Sequence, residues 1–138
     1  MATRPHTASV VISCFNYERF VGAAIESALA QTRAPLEVIV VDDGSADGSR
    51  DVIAGYGTRV KPIFKAHAGM GSALNAGCAA ARGDVVFLLD ADDLLFPDAI
   101  ETVLGQWRDG TVMTQSRLAM ETRRAGGCAA PRPPRRCG

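Results

Sequence analysis

Acidic residues follow two apolar segments of this sequence, at the point where each segment ends. Asp42 and Asp43 come directly after the run VIVV, and Asp90, Asp92 and Asp93 follow the run VVFLL. Ligands of open parallel sheets bind beyond the carboxyl ends of the strands, so we expect these carboxylates to crowd one edge. Like charges at close range are tolerated chiefly when a cation neutralises them, and carboxylate oxygens suit Mn²⁺ or Mg²⁺. The pattern predicts a divalent-metal site at Asp90 and Asp92.

Other aspartates have a structural interpretation. The sequence DDGS at residues 42–45 is also a good turn, so a turn role and a ligand role both stay open for Asp42. Asp47 and Asp98 are expected to cap the helices that follow them. For Asp90 and Asp92 the ligand role is favoured, because alternate residues leaving a buried strand can direct two carboxylates at one point.

Short β-branched runs alternate with amphipathic segments over most of the chain. Runs at residues 10–12, 38–41 and 85–89, with a weaker one at 60–64, are typical of strands buried on both faces. A helical segment follows each run, with apolar residues at helical spacing in the first and last of them, which predicts the order β-α-β-α-β-α-β-α from Ser9 to about Arg108. This order indicates an α/β fold, a parallel sheet with helices on both faces. Pro62 predicts an edge position for the third strand, and the small residues at 71–81 predict a helix packed very close to the sheet.

Charge divides the 138 residues into two unequal parts. Residues 1–110 hold nine Lys or Arg against fourteen Asp or Glu, a balance of −5, whereas residues 111–138 hold six Arg against one Glu, a balance of +5. We expect a flexible N-terminus at residues 1–8, one folded domain at 9–110, and an irregular basic tail at 111–138. Because the tail has no Val, Ile, Leu or aromatic residue after Met120, we expect it to be disordered.

Composition and motifs also exclude several classes of protein. No apolar stretch approaches the ~18–20 residues of a membrane-spanning helix, and the start does not resemble a secretory signal. The spacing of the four cysteines fits neither a zinc site nor a disulfide framework, which favours a cytoplasmic location. The first βα turn reads CFNY and lacks the G-x-G-x-x-G of dinucleotide-binding enzymes. No clear nucleic-acid partner is indicated, although the basic tail leaves a nucleic-acid arm or peripheral membrane association open.

Four segments resemble family 2 glycosyltransferases in type and order. They are SVVISCFNY at 9–17 followed by AIESALAQT at 24–32, VIVVDDGS at 38–45, Asn75-Ala76-Gly77, and LLDADD at 88–93. The resemblance implies a Rossmann-like GT-A fold that binds a nucleotide-diphosphate sugar, commonly a UDP-sugar, together with a divalent metal held by the D-x-D element. It also implies inverting transfer of the sugar to an acceptor hydroxyl.

The resemblance implies a role for each candidate site residue. Asp42 would accept a hydrogen bond from the base, Asp90 would lie against the ribose or sugar, and Asp92 would coordinate the metal with Asp90. Asp93 is a supporting candidate. The expected substrate-binding set is Ser13, Phe15, Asn16, Tyr17, Asp42, Asp43, Asn75 and Asp90, and the expected metal ligands are Asp92 and Asp90.

The sequence departs from the family pattern in two places. Many relatives carry Arg or Lys shortly before Asn75, but this chain reads HAGMGSAL, so diphosphate binding is expected to rest on metal and backbone. His67 is a candidate substitute, with a merely solvated loop histidine the favoured alternative. Nothing after Arg108 resembles the family's acceptor half with its general base, so we expect a donor half truncated after the D-x-D strand and the following helix, with a frameshift or truncation near Met120. Enzyme activity of this chain therefore stays open, and the alternative is a non-catalytic α/β binding or signalling module, an inactive remnant.

Overall fold

A computed structural model describes residues 6–107, and within that range it contains one parallel sheet in the order β3-β2-β1-β4. The strands are β1 (Ala8–Cys14), β2 (Glu37–Asp42), β3 (Lys61–Phe64) and β4 (Val85–Asp90). The helices are α1 (Val21–Leu29), α2 (Ser49–Ala54), α3 (Met70–Ala80) and α4 (Ala99–Gln106), and a 3₁₀ turn spans Gly57–Arg59. The predicted α/β order is confirmed, and β3 lies at an edge of the described sheet, as Pro62 predicts.

Alternate residues of the central strands face two separate cores. Val10 and Ile12 belong to the core that contains buried residues of α1, α2 and α4, whereas Val11 and Ile39 pack with Ala73 of α3. Every residue of β1 and β2 is buried, which explains why both strands are almost continuously apolar. Helices therefore cover both faces of the sheet, as expected.

Helix α3 lies unusually close to the sheet because a glycine faces it. A Cβ atom added at Gly77 would collide with the side chain of Val11 and would lie 3.2 Å from Cγ2 of Val41. The small residues at this helix position therefore allow the close approach that the sequence predicts.

Glu37 of β2 forms hydrogen bonds with β1, with β3 and with the loop before β4 at the amino edge of the sheet. Its Oε2 accepts hydrogen bonds from Ser9 Oγ at 2.6 Å and from the Arg82 backbone N–H at 2.5 Å, and Oε1 accepts one from Lys61 Nζ at 2.7 Å. Burial alone would raise the pKa of Glu37, but these hydrogen bonds outweigh burial and lower the pKa to about 2. Glu37 is thus an ionised residue of the framework.

The ends of the chain fall largely outside the described residues. β1 begins at Ala8, and the Thr7 N–H donates to Asp84 Oδ2 at 2.8 Å. The rest of the expected flexible N-terminus, the end of the expected domain and the whole basic tail lie outside residues 6–107. Over residues 6–107 no helix combines the length and apolar character needed to cross a membrane.

Candidate functional site

A cavity of about 260 Å³ opens at the carboxyl edge of the sheet. It is bounded by the ends of β1 and β4, the turn after β2, and the loop and first turn that lead into α3. The lining residues are Ser13, Cys14, Phe15, Tyr17, Asp43, His67, Met70, Ala73, Asp90 and Asp92. The cavity therefore lies where the strand-end rule places a ligand.

Three carboxylates converge at the end of β4. Oxygen atoms of Asp90, Asp92 and Asp93 lie within 4.8 Å of one another, and Ser13 Oγ donates to Asp90 Oδ1 at 3.3 Å. Burial, together with the charges of Asp92 and Asp90, raises the pKa of Asp93. This oxygen-only donor set fits a hard divalent cation such as Mn²⁺ or Mg²⁺.

Asp43 faces the cavity and is held by donors on both carboxylate oxygens. Oδ1 accepts from Lys65 Nζ at 2.9 Å and from the Ala68 N–H at 3.0 Å, and Oδ2 accepts from the Gly69 N–H at 2.9 Å. The hydrogen bond from Lys65 has the largest effect and outweighs burial, so the pKa of Asp43 falls to about 2. Asp43 is therefore an ionised acceptor at the cavity wall.

Asp42 does not line the cavity. Its side chain is fully buried, and Oδ2 accepts from Arg50 Nε at 2.9 Å and from the Ser45 N–H at 3.0 Å. Within residues 6–107 its Oδ1 has no hydrogen-bond partner. The expectation that Asp42 contacts the base thus has no geometric support, because its carboxylate is used to hold the turn before α2.

The segment 13–17, which runs from the end of β1 into the following loop, contributes three of its four expected residues to the cavity. Ser13, Phe15 and Tyr17 line it, whereas Asn16 instead braces the loop against the turn after β2. The Asn16 backbone has a positive φ of 57°, its Oδ1 accepts from the Ala46 N–H at 2.8 Å, and its own N–H donates to Ser45 Oγ at 2.9 Å. Asn16 therefore positions Phe15 and Tyr17.

Three further expectations concern residues on or just before helices. Asn75 is exposed on α3 and is not among the lining residues, although Ala73 of the same helix is. Asp47 supports the start of α2, since its Oδ1 accepts from the Ser49 N–H at 2.9 Å. Asp98 is the residue before α4 but makes no side-chain cap hydrogen bond, so its expected capping role is wrong.

Sequence reasoning underrated His67 as a solvated loop residue. Its ring stacks on Phe15 with a centroid distance of 4.2 Å and an interplanar angle of 23°, and Nδ1 lies 3.0 Å from Asp43 Oδ2. Met70 also lines the cavity without having been expected there. His67 follows the end of β3 by three residues, so the strand-end rule that selected the aspartates was the signal that could have found it.

The fold defines a Rossmann-like domain of the GT-A class, with a cavity at the carboxyl edge of its sheet. Among solved structures, TarS from S. aureus in complex with UDP superposes with a TM-score of 0.66 and 24% identity, over 72% of this chain and 31% of that one. Glucosyl-3-phosphoglycerate synthase from Mycobacterium tuberculosis, in complex with Mn²⁺, UDP and glucosyl-3-phosphoglycerate, superposes with a TM-score of 0.56 and 27% identity, over 70% of this chain and 37% of that one.

The amino-acid sequence gives the family. Residues 9–124 match Glycosyl transferase family 2. The chain is 46% identical over 109 residues to an uncharacterized glycosyltransferase of Nostoc sp., an alignment that covers 76% of this chain and 34% of that protein. This chain therefore belongs to glycosyltransferase family 2, and it matches about a third of the length of this curated relative.

Proposed function

We propose that residues 9–110 form the donor-binding domain of an inverting glycosyltransferase that uses a UDP-sugar and a divalent metal. The observation that supports this most directly is that an ionised Asp43 and the carboxylates of Asp90 and Asp92 line the same cavity. One end of the cavity offers a hydrogen-bond acceptor and an aromatic ring, and the other offers hard oxygen ligands. A nucleoside diphosphate needs both kinds of contact.

Phe15 and Asp43 would bind the base. The exposed ring of Phe15 offers a stacking surface, and the Asp43 carboxylate accepts an N–H such as that at position 3 of uracil. We assign this contact to Asp43 in place of Asp42, because only Asp43 lines the cavity. Ser13 and Tyr17 complete the wall on the β1 side.

Asp90, Asp92 and Asp93 would hold the metal. When bound, Mn²⁺ or Mg²⁺ would neutralise the charge that develops on the leaving nucleoside diphosphate. Ser13 orients Asp90 through its hydrogen bond. The positive end of the α3 dipole lies beside the cavity, where Met70 and Ala73 line it, and favours the diphosphate in the absence of Arg or Lys at residues 67–74.

The acceptor would be a hydroxyl compound, deprotonated by a general base as inverting transfer requires. We assign the role of general base to no residue between 6 and 107. The sugar transfer is therefore proposed for the whole glycosyltransferase to which this domain corresponds. We place the protein in the cytoplasm, which is supported by the free thiols of the buried Cys14 and the exposed Cys78.

Thermal unfolding with UDP and Mn²⁺ tests this proposal. UDP at about 100 times its Kd should stabilise the native state by about 2.7 kcal/mol, and removal of Mn²⁺ should reduce the shift. Asp92→Asn should lose the part of the shift that depends on Mn²⁺. Asp98→Asn is the matched control, because Asp98 is an exposed aspartate outside the carboxylate cluster. The absence of any shift with the unaltered chain, or an equal shift with Asp92→Asn, would contradict the proposal.

A further inference from the structure

His67 makes, within the protein, the contacts that the proposed function requires of a nucleobase. Its flat ring stacks on Phe15 at 4.2 Å, and its Nδ1 lies 3.0 Å from Oδ2 of Asp43. We propose that His67 occupies the uracil position in the unliganded protein and must leave it before the base of a UDP-sugar can bind. This inference rests on the proposed function and adds to it a residue that sets donor affinity.

The hydrogen bonds of Asp43 show why the two rings compete. A carboxylate has about four lone-pair positions. Lys65, Ala68 and Gly69 donate three hydrogen bonds to the Asp43 carboxylate, and His67 Nδ1 stands beside Oδ2, 3.0 Å from it and 3.1 Å from the Asp43 carbonyl oxygen. A base N–H can therefore reach the remaining position on Oδ2 only if the His67 ring withdraws.

His67 is the donor that can withdraw most easily. The N–H groups of Ala68 and Gly69 belong to the backbone, and the Lys65 side chain is only 20% exposed and also donates to the Ala66 carbonyl. The His67 side chain is 57% exposed, so it can rotate into solvent. Its withdrawal would free both an oxygen of Asp43 and a face of Phe15.

The backbone of His67 is fixed even though its ring can move. Gly44 has a φ of +81°, and a Cβ added there would lie 2.7 Å from the backbone nitrogen of His67. The turn after β2 thus packs directly against this residue. Replacement of the His67 ring by the base therefore needs only a rotation of the His67 side chain. The single ring of the base then takes the place of a single ring of similar size on Phe15.

UDP binds only those molecules in which the His67 ring has moved away from Phe15. The apparent affinity for UDP is therefore the intrinsic affinity multiplied by the fraction of such molecules. Calorimetric titration of the full 138-residue chain with UDP measures this effect. His67→Ala should bind UDP about five- to 150-fold more tightly, the combined contribution of one stacked ring pair and one hydrogen bond. His67→Phe keeps a ring on Phe15 and should bind no more tightly than the unaltered chain. Arg59→Ala, which lies before β3 at the other edge of the sheet, should leave the affinity unchanged.

Titration with and without Mn²⁺ distinguishes this inference from the proposed function. Because His67 acts at the base, the ratio of affinities between His67→Ala and the unaltered chain should be the same with and without Mn²⁺. If the unaltered chain binds UDP and His67→Ala binds it equally or less tightly, His67 is no placeholder but the proposed function stands. If neither protein binds UDP, both proposals fail.

Histidine side-chain NMR gives a readout that does not depend on affinity. The chain has two histidines, His6 and His67, so the His67→Ala spectrum assigns the signals. Without nucleotide, the His67 ring protons should carry a ring-current shift from Phe15, and saturating UDP should move them to solvent-exposed values. Ring signals that start at solvent-exposed values, or that UDP leaves unchanged, would overturn the inference.

Discussion

The adjacent carboxylates Asp42 and Asp43 should differ in their effect on nucleotide binding when each is changed to asparagine. The Asp42 side chain is fully buried, and its Oδ2 receives hydrogen bonds from Arg50 and from the Ser45 backbone. Loss of a buried charge partner costs about 3–5 kcal/mol, and because Arg50 is 46% exposed and can regain water, we expect about 2–3 kcal/mol for Asp42→Asn. For a domain of this size that corresponds to a fall in Tm of about 10–20 °C.

Asp43→Asn should also destabilise the protein, because its side chain is only 4% exposed and pairs with Lys65 at 2.9 Å, but of the two variants it alone should weaken UDP binding. A hydrogen bond to a charged group contributes about 1.5–3 kcal/mol, which corresponds to a Kd about 10- to 150-fold higher. Urea unfolding and calorimetric titration with UDP, both well below the Tm of each variant, measure the two effects side by side. If Asp42→Asn weakens UDP binding as strongly as Asp43→Asn and leaves stability unchanged, the assignment of the base contact to Asp43 is wrong.

Two further predictions concern the framework that holds the site. Gly77→Ala should destabilise the protein by about 1–3 kcal/mol in urea unfolding, because the new Cβ collides with Val11. Gly71→Ala is the control, because its Cβ meets no atom within 4 Å, and it should not reduce stability. Equal effects of the two substitutions would refute the close packing of α3. The folded-state pKa of Glu37, about 2, lies below its ordinary value of 4.5, so its contribution is present above pH 4.5 and is lost as the pH falls toward 2. The difference between these two pKa values corresponds to about 3 kcal/mol of unfolding free energy. The loss of unfolding free energy between neutral and acidic pH, measured by urea unfolding, should be smaller by this amount in Glu37→Gln.

The fold was predictable because its signals are local. Continuous apolar runs indicate strands buried on both faces, and β1 and β2 are buried at every residue. The same signals place Asp43, Asp90 and Asp92 at one edge, where the structure has its cavity. Family resemblance added the order of the segments, which composition alone does not provide.

The division of roles within the site was not predictable, because it depends on contacts between distant segments. Asp42 and Asp43 are adjacent and chemically identical, yet Arg50 holds one and Lys65 holds the other. The placement of His67 depends on the turn at Gly44 and on Asp43, more than twenty residues earlier in the chain. A pattern in one segment carries no information about such pairings.

The positions of the Lys and Arg side chains explain which carboxylates at this edge favour a bound cation. Asp42 has Arg50 at 2.9 Å and Asp43 has Lys65 at 2.9 Å, so the protein itself neutralises both. Among residues 6–107, no Lys or Arg forms an ion pair with Asp90, Asp92 or Asp93, although their oxygens lie within 4.8 Å of one another. Burial, and after it the repulsion from Asp92 and Asp90, raises the pKa of Asp93. Metal dependence should therefore reside at the end of β4 alone, whereas the carboxylates after β2 should act in base binding and in stability whether or not Mn²⁺ is present.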